Sequence, residues 1–260
     1  MDKDGKKVSG KIHSVETLGA ADGPGLRFVL FLQGCGLRCK YCHNPDTWAA
    51  CNAERTATAE DIANEIIRYK NYFGKKGGVT VSGGEPLLQL DFLTELFKIL
   101  KQNGIHTAID TSGAPYNEYD PRYKELLALT DLVILDIKHI DDLKCRELTG
   151  TGNIATKKFA KTLSDNGVAM WIRQVLVPGL TDDENDLKKE NPVTRFVIKN
   201  MPLNGFIKPD FISYHYSGVP LPRKKTKNKA VLCWTVTSQK IYDGIKPFCD
   251  NIIFEEFIPE

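Results

Sequence analysis

Three cysteines lie within eight residues of the chain, in the stretch Cys35-Gly36-Leu37-Arg38-Cys39-Lys40-Tyr41-Cys42. This C-x3-C-x2-C spacing brings three thiolates onto one face of a short loop and supplies no obvious fourth ligand within it. Structural zinc sites are closed by four ligands, and four-iron clusters also take four. The motif therefore indicates an iron with an open coordination position, or a fourth ligand from elsewhere in the chain. An open iron can bind a substrate or cofactor directly.

Two other interpretations of the three cysteines stay open. They could be unrelated residues of an apolar core, because cysteine is among the residue types most often buried. They could also bind structural zinc, with His43 or Cys51 as the fourth ligand. The polar and glycine-rich clusters elsewhere in the chain favour a large cofactor over both.

Composition places the chain among ordinary globular proteins. Of its 260 residues, 42% are hydrophobic and 26% are charged, and the formal net charge is +2. This balance points to neither nucleic acid nor a membrane surface as a partner. The N-terminal residues lack the apolar segment of a signal peptide, and no apolar run could span a bilayer. Seven cysteines, three of them in one motif, fit a reducing cytoplasm better than a set of disulfides, so we expect a cytoplasmic protein.

Apolar runs rich in β-formers alternate with helical patterns along the chain. The run 26–32 is continuous, as in strands buried on both faces of a parallel sheet. Further strands are predicted at 77–81, 105–109, 132–135, 168–177 and 210–215, with a short one at 10–13. Helices are predicted between them, at about 62–73, 91–102, 121–129 and 157–166.

This alternation predicts an α/β fold with a parallel sheet and helices outside it. Six strand-helix units fall short of the eight that close a barrel, so we expect a partial (β/α)6 barrel of the TIM-like kind. We expect a single domain spanning 1–260, with 1–25 as an N-terminal extension and about 186–260 as a divergent C-terminal part.

Polar and glycine clusters follow the predicted strands directly. In chain order they are the three cysteines, Gly83-Gly84-Glu85, Asp110-Thr111, Asp136-Ile137-Lys138, Arg173 and His215. In barrels of this kind the chemistry lies at the carboxyl ends of the strands, so we expect one site at this rim. Asp110 and Asp136 end adjacent strands, and two neighbouring carboxylates either raise one pKa or hold a cation.

Several segments together resemble one enzyme family, although each is weak alone. They are Lys11-Ile12-His13-Ser14, Asp22-Gly23-Pro24-Gly25-Leu26-Arg27, Gln33-Gly34-Cys35, Tyr41-Cys42-His43-Asn44, Asp46-Thr47-Trp48, Ser82-Gly83-Gly84-Glu85, Leu135-Asp136-Ile137-Lys138, Trp171-Ile172-Arg173 and Tyr214-His215. In combination they resemble the pyruvate formate-lyase activating enzymes, which belong to the radical S-adenosylmethionine (SAM) superfamily. The resemblance covers roughly residues 9–185 nearly without gaps.

The resemblance implies a cofactor, a reaction and partners. Cys35, Cys39 and Cys42 would hold a 4Fe-4S cluster, and SAM would complete the coordination of the fourth iron. Reductive cleavage of SAM would yield a radical that takes a hydrogen atom from a backbone glycine. The substrate would be a large glycyl-radical enzyme, formate acetyltransferase first among them, and flavodoxin or ferredoxin would donate the electron.

The resemblance also implies roles for further residues. Lys138 would hold the SAM carboxylate, and Arg173 would steady that carboxylate or the substrate peptide. The other expected SAM-binding residues are Tyr41, His43, Gly83, Gly84, Glu85, Asp110, Asp136, Ile137 and His215. A monovalent cation is expected beside Asp110 and Asp136. Asp22 and Arg27 are expected to contact the glycine loop of the partner enzyme.

The last part of the chain departs from the family pattern. The segment 186–210 is longer than in that pattern, and 223–229 is a basic loop. The sequence therefore predicts the identity of the partner less firmly than it predicts the chemistry. An activase of a different glycyl-radical enzyme, or another radical SAM enzyme, is the first alternative. A zinc-binding interaction module is the second.

Overall fold

The computed structural model of the chain describes residues 7–175, 177, 180–181, 211–215, 230–236, 238–249 and 251–254. The strands of this part are β1 (Ser9–Gly19), β2 (Arg27–Leu32), β3 (Arg55–Thr58), β4 (Gly78–Gly83), β5 (His106–Thr111), β6 (Leu132–Asp136), β7 (Met170–Arg173), β8 (Phe211–His215), β9 (Ala230–Val236) and β10 (Asn251–Phe254). The α-helices are α1 (Ala59–Ile67), α2 (Leu90–Gln102), α3 (Arg122–Ala128), α4 (Asp142–Thr149), α5 (Ile154–Asp165) and α6 (Gln239–Ile245). Short 3-10 helices lie at Pro45–Thr47, Ala50–Asn52, Lys70–Tyr72, Pro86–Gln89 and Lys246–Phe248.

The chain divides into two compact units, residues 1–181 and 182–260. The described strands of the second unit form a three-stranded sheet in the order β10-β9-β8, with parallel pairing throughout. The single domain expected for 1–260 stays a prediction. The segments 186–210 and 223–229 lie outside the described residues.

The first unit is built on a seven-stranded sheet in the order β3-β1-β2-β4-β5-β6-β7. Strand β1 pairs antiparallel with β2 and with β3, whereas β2, β4, β5, β6 and β7 are all parallel. The sheet is not closed, since β3 and β7 form its edges in the described part of the chain. The expected α/β fold with a partial, open barrel is confirmed.

The parallel strands are apolar because both of their faces are covered. All five residues of β6 are buried, and so are five of the six residues of β2. On one face Phe28, Leu30 and Leu32 pack in a core with Leu93 and Phe97 of α2. Each fully buried side chain of this size stabilises the fold by about 1.5–3 kcal/mol. The helices are therefore held on this face of the sheet, and the polar residues described below lie at the carboxyl ends of its strands.

Helices α1 and α4 begin at side-chain caps. The Thr58 hydroxyl accepts a hydrogen bond from Asp61 N at 3.1 Å and caps α1. The Asp141 carboxylate accepts from Lys144 N at 2.9 Å and caps α4. Helix α4 ends at Gly150, whose φ of 80° is the left-handed conformation that glycine adopts without strain. Among the described residues no helix is both long and apolar enough to cross a membrane.

Several described elements differ from the sequence-based expectation. Strand β1 extends to Gly19 instead of ending at His13, and β7 is shorter than the predicted 168–177. Strand β3 and helix α4 were not predicted. Strand β8, expected as the sixth strand of the barrel, pairs with β9 in the three-stranded sheet. Among the described residues, the seven-stranded sheet therefore contains five parallel strands and not the six that were expected.

Candidate SAM and iron-sulfur site

The three cysteines lie in a loop that leaves the carboxyl end of β2. Gly34 begins it with φ 105°, a conformation that a side chain would strain. Gly34 N donates to Thr47 O at 2.7 Å, and Cys35 N donates to Trp48 O at 3.1 Å. These bonds fasten the start of the cysteine loop to the segment that follows it, so the first cysteine has a fixed backbone position.

The middle of the cysteine loop is held by the carboxyl end of α4. Arg38 N donates to Thr149 O at 2.7 Å, and Lys40 N donates to Leu148 O at 2.9 Å. Carbonyls of the last helical turn have no partner within their own helix, so the loop satisfies groups that would otherwise need water. Helix α4 therefore positions the loop, a role that the sequence analysis did not assign. The signals for the helix were Asp141 at its start and Gly150 at its end.

The three thiols are free and close enough to influence one another. Cys39 is buried, whereas Cys35 and Cys42 are partly exposed. Burial raises the pKa of Cys35, and the neighbouring Glu85 and Cys42 add to that shift. Burial likewise raises the pKa of Cys39 to about 11, although Lys138 counteracts it. A bound metal would displace these protons, since thiolates are the ligands.

The donor set of the cysteine loop fits a four-iron cluster. The cysteines of a four-iron cluster bind different irons, so their sulfurs need not converge on one point. Three free thiols on one loop that backbone hydrogen bonds hold in place match that donor set.

The Gly83-Gly84 turn is packed against the backbone of β2 and of the cysteine loop. Gly84 N donates to Leu32 O, and Glu85 N donates to Gly34 O, both at 2.8 Å. A Cβ on Gly83 would lie 2.3 Å from Leu32 N, and one on Gly84 would lie 2.3 Å from Gly34 O. Glycine is thus needed here for close backbone approach, whether or not the turn also contacts SAM.

Glu85 is a buried hydrogen-bond acceptor at the centre of this end of the sheet. Its carboxylate accepts from Leu87 N at 3.1 Å, Ser112 N at 3.0 Å and the hydroxyls of Thr111 and Ser112, both at 2.5 Å. Its side chain therefore joins the ends of β4 and β5. SAM binding by Glu85 stays a prediction.

The strand ends of β5, β6 and β7 carry a connected set of charges. Arg173 Nη2 lies 2.8 and 2.9 Å from the two carboxylate oxygens of Asp110 and 3.4 Å from Asp136 Oδ2. Lys138 Nζ donates to Asp136 Oδ2 at 2.8 Å, and Ser82 Oγ donates to Asp110 Oδ2 at 3.0 Å. The structure thus brings together four residues expected at the site, and adds Ser82.

Burial and neighbouring charges shift the pKa values of these side chains in opposite directions. Burial raises the pKa of Asp110, while Arg173 lowers it. Burial lowers the pKa of Lys138, but Asp136 more than offsets this, so the net shift is upward. The same balance leaves the pKa of Arg173 raised, because Asp110 and Asp136 outweigh the effect of burial. Both cations therefore stay charged at neutral pH. Asp136 Oδ1 is buried and has no hydrogen-bond partner in the described structure.

Tyr41 links the cysteine loop to this set of charges. Lys138 Nζ lies 5.8 Å from the centre of the Tyr41 ring, and the Tyr41 hydroxyl donates to Lys138 O at 3.4 Å. Burial raises the pKa of Tyr41, so the ring stays a neutral phenol at physiological pH. A flat aromatic face beside the last cysteine is available for stacking.

The turn from Asp22 to Arg27 is held from within by Arg27. The side chain of Arg27 is fully buried. Its guanidinium donates to Thr80 Oγ1 at 2.5 Å, Pro24 O at 3.0 Å and Val79 O. Direct contact with a partner's loop was expected, but a side chain with no exposed surface cannot make it in this structure. Arg27 instead ties the turn to β4.

Asp22 remains at the surface of the turn. Its backbone carbonyl accepts from Thr80 Oγ1 at 2.5 Å, so its position follows from the same contacts. Burial raises the pKa of the half-buried Asp22 carboxyl, and Arg173 acts on it in the opposite direction.

The remaining expected residues are placed as follows. Ile137 N donates to Arg173 O at 2.8 Å and continues the pairing of β6 with β7. His43 is exposed, one residue beyond the last cysteine of the motif. His215 ends β8 in the second unit, and its side chain lies outside what the structure describes.

Known proteins resemble the chain in sequence and fold. Residues 29–189 match the Radical SAM superfamily. The pyruvate formate-lyase-activating enzyme of Staphylococcus epidermidis is 50% identical over 216 residues, which cover 82% of this chain and 84% of the relative. The enzyme of the same name from Staphylococcus aureus strain USA300 has the same identity and coverage.

A solved structure shares the fold at low identity. Streptococcus suis SuiB bound to precursor peptide SuiA is 18% identical, with a TM-score of 0.54 over 89% of this chain and 49% of SuiB. The open parallel sheet, the cysteine loop at its carboxyl edge and the sequence relatives agree with one another. The chain belongs to the radical SAM superfamily and, within it, to the pyruvate formate-lyase-activating enzymes.

Proposed function

We propose that the chain activates a glycyl-radical enzyme, pyruvate formate-lyase (formate acetyltransferase), by removing a hydrogen atom from a backbone glycine. The relatives that are 50% identical over most of the chain carry the name of that activity. No described feature favours the alternatives of a different glycyl-radical partner or a zinc-binding module.

The site supports this chemistry through Cys35, Cys39 and Cys42, which would hold a 4Fe-4S cluster with SAM on its open iron. When bound, the cluster supplies the electron for reductive cleavage of SAM. The protein positions the reacting groups and keeps competing reactions out. The observation that carries the proposal is the contact of the cysteine loop with Lys138: the Lys138 Nζ lies 5.8 Å from the centre of the Tyr41 ring, and the Tyr41 hydroxyl donates to Lys138 O at 3.4 Å.

The charged strand ends are suited to the methionyl part of SAM. Lys138 is a partly buried cation that can bind the SAM carboxylate, and the Asp136 carboxylate, 2.8 Å from its Nζ, orients it. Arg173 is partly exposed beside them and can bind the same carboxylate or the substrate peptide. We assign the adenosine part to Tyr41, His43 and His215. The assignment of Gly83, Gly84, Glu85, Asp110 and Ile137 to the walls of the SAM site is part of the same proposal.

A monovalent cation beside Asp110 and Asp136 belongs to the proposal. The supporting observation is that Asp136 Oδ1 is buried without a hydrogen-bond partner in the described structure. A buried acceptor of this kind costs free energy unless an ion, water or ligand satisfies it. Carboxylate oxygens are the ligands that hard cations prefer.

Asp22 is proposed to contact the glycine loop of the partner, and Arg27 to support that contact by holding the turn. An electron donor, flavodoxin or ferredoxin, completes the partners; no nucleic acid or membrane is involved. The cysteines whose side chains the structure describes are free, which fits the reducing cytoplasm proposed for the reaction.

The proposal is tested by anaerobic reconstitution with iron and sulfide, followed by electron paramagnetic resonance after SAM, reductant and pyruvate formate-lyase are added. We expect about four irons per chain and a glycyl-radical signal on the partner. Cys42→Ala should abolish both, whereas Cys51→Ala, which changes an exposed cysteine outside the motif, should leave both. Stoichiometric zinc without iron would exclude the proposed cofactor.

A further inference from the structure

Arg38 is the charged residue between the first two cysteines of the motif, and its side chain turns back onto the loop. Its Nη1 donates to Cys35 O at 2.8 Å and to Leu37 O at 2.7 Å. Its own backbone N–H is held by Thr149 O of α4. The Arg38 side chain therefore binds the carbonyl of Cys35, and helix α4 fixes the backbone position of Arg38.

Trp48 contacts both Arg38 and Cys35. The Arg38 guanidinium carbon lies 4.9 Å from the centre of the Trp48 ring, within the range of a cation–π contact. The Trp48 carbonyl accepts the N–H of Cys35 at 3.1 Å. Both backbone polar groups of Cys35 are thus bound by the stacked pair, its carbonyl by Arg38 and its N–H by Trp48.

The position of the guanidinium has an electrostatic consequence. Arg38 and Lys40, the two cations of the motif, are both exposed, but hydrogen bonding and stacking keep the Arg38 guanidinium at the loop, whereas the described structure gives the Lys40 side chain no such contact. Net charge, hydrogen bonding and solvent exposure set the reduction potential of an iron-sulfur cluster. A cation held in place beside a ligand favours the reduced, more negative form. A cation that no contact holds near the ligand is separated from it by water and salt and favours the reduced form less.

We propose that Arg38 and Trp48 form a clamp on Cys35 that retains the cluster and raises its reduction potential. The clamp rests on the proposed function, since it acts on the cluster that Cys35, Cys39 and Cys42 would hold. Arg38 and Trp48 are positioning residues, since both bind the backbone of a proposed cluster ligand. Groups that support a metal ligand in this way typically change metal affinity when they are removed.

The test compares Arg38→Gln with Lys40→Gln, which removes the same charge from the same motif but no described contact to a cysteine carbonyl. Two quantities are measured on reconstituted protein without SAM: the midpoint potential by spectroelectrochemical titration, and the rate of iron release to a chelator. Arg38→Gln should lower the midpoint potential more than Lys40→Gln does, and release iron roughly tenfold faster.

Arg38→Lys and Trp48→Leu separate charge from geometry. Arg38→Lys keeps the charge but loses the planar fork, so it should restore most of the potential while iron release stays fast. Trp48→Leu should also speed iron release, and combining it with Arg38→Gln should add little, because both changes disrupt one clamp. If Arg38→Gln assembles no cluster, the midpoint potential and the rate of iron release are compared in Arg38→Lys, Trp48→Leu and Lys40→Gln instead.

The outcomes distinguish the clamp from the function on which it rests. If the unaltered chain binds no iron, the proposed cofactor is wrong. If it binds about four irons but Arg38→Gln and Lys40→Gln shift the potential and the iron release equally, the clamp is wrong and the cofactor stands. Additive effects of Arg38→Gln and Trp48→Leu would also contradict a single clamp.

Discussion

At the residue scale, Arg27 shows why a charged residue in a family motif need not contact a ligand. Its guanidinium donates to Thr80, Pro24 and Val79 and is fully buried. Burial lowers the pKa of Arg27 to about 10. The side chain therefore stays charged at neutral pH and needs all of these acceptors. Sequence alone could not reveal this, because a turn of this composition is ordinarily exposed.

Arg27→Met should lower the free energy of unfolding by about 2–4 kcal/mol, because it leaves buried carbonyls without donors. Urea unfolding measures the change. Lys124→Met is the matched control, since Lys124 is an exposed cation on α3 and its loss should cost within about 0.5 kcal/mol. Equal stability of the two variants would show that Arg27 does not hold the turn.

Cys39 carries a prediction about pH. Burial raises its pKa to about 11, and the thiolate is the form that reacts with iodoacetamide. In the iron-free protein, alkylation of Cys39 should therefore be slow at neutral pH and rise with pH toward that value. The exposed Cys51 should react faster at neutral pH. Mass spectrometry of labelled peptides measures both rates, and equal rates at pH 7 would contradict the structure.

At the scale of elements, the buried strands could be predicted and the exposed ones could not. The apolar runs of β2, β4, β5 and β6 are long enough to identify strands covered on both faces. Strand β3 has four residues at a sheet edge, none of them fully buried, and so carries no apolar signal. Helix α4 has few apolar residues and depends on its caps and on the cysteine loop.

The contact between the Gly83-Gly84 turn and the cysteine loop gives an element-scale prediction. Gly84→Ala should destabilise the fold by about 1–3 kcal/mol and impair iron binding, since its Cβ would meet Gly34 O at 2.3 Å. Gly36→Ala is the control, because a Cβ there meets no atom within 4 Å. Iron content after reconstitution and urea unfolding are the measurements. If Gly84→Ala behaved like Gly36→Ala, this packing would not matter.

At the scale of the whole molecule, the site arises from the topology of the sheet. Parallel strands place the cysteine loop, Gly83-Gly84, Asp110 and Asp136 at one edge, and that convergence could be predicted from their position after each strand. The pairing of Arg173 with Asp110 could not, because it depends on which strands are neighbours. Neither could the support from α4, since the cysteines and Thr149 are far apart in sequence.

The most direct test of the proposed function follows a hydrogen atom from the partner to SAM. Pyruvate formate-lyase labelled with α-deuterated glycine is incubated anaerobically with the reconstituted chain, SAM and reductant, and 5′-deoxyadenosine is analysed by mass spectrometry. We expect one deuterium in 5′-deoxyadenosine, and less of it with Asp22→Asn, whose iron content and SAM binding should be normal. Cleavage of SAM that transfers no deuterium from the partner would contradict the proposed activity.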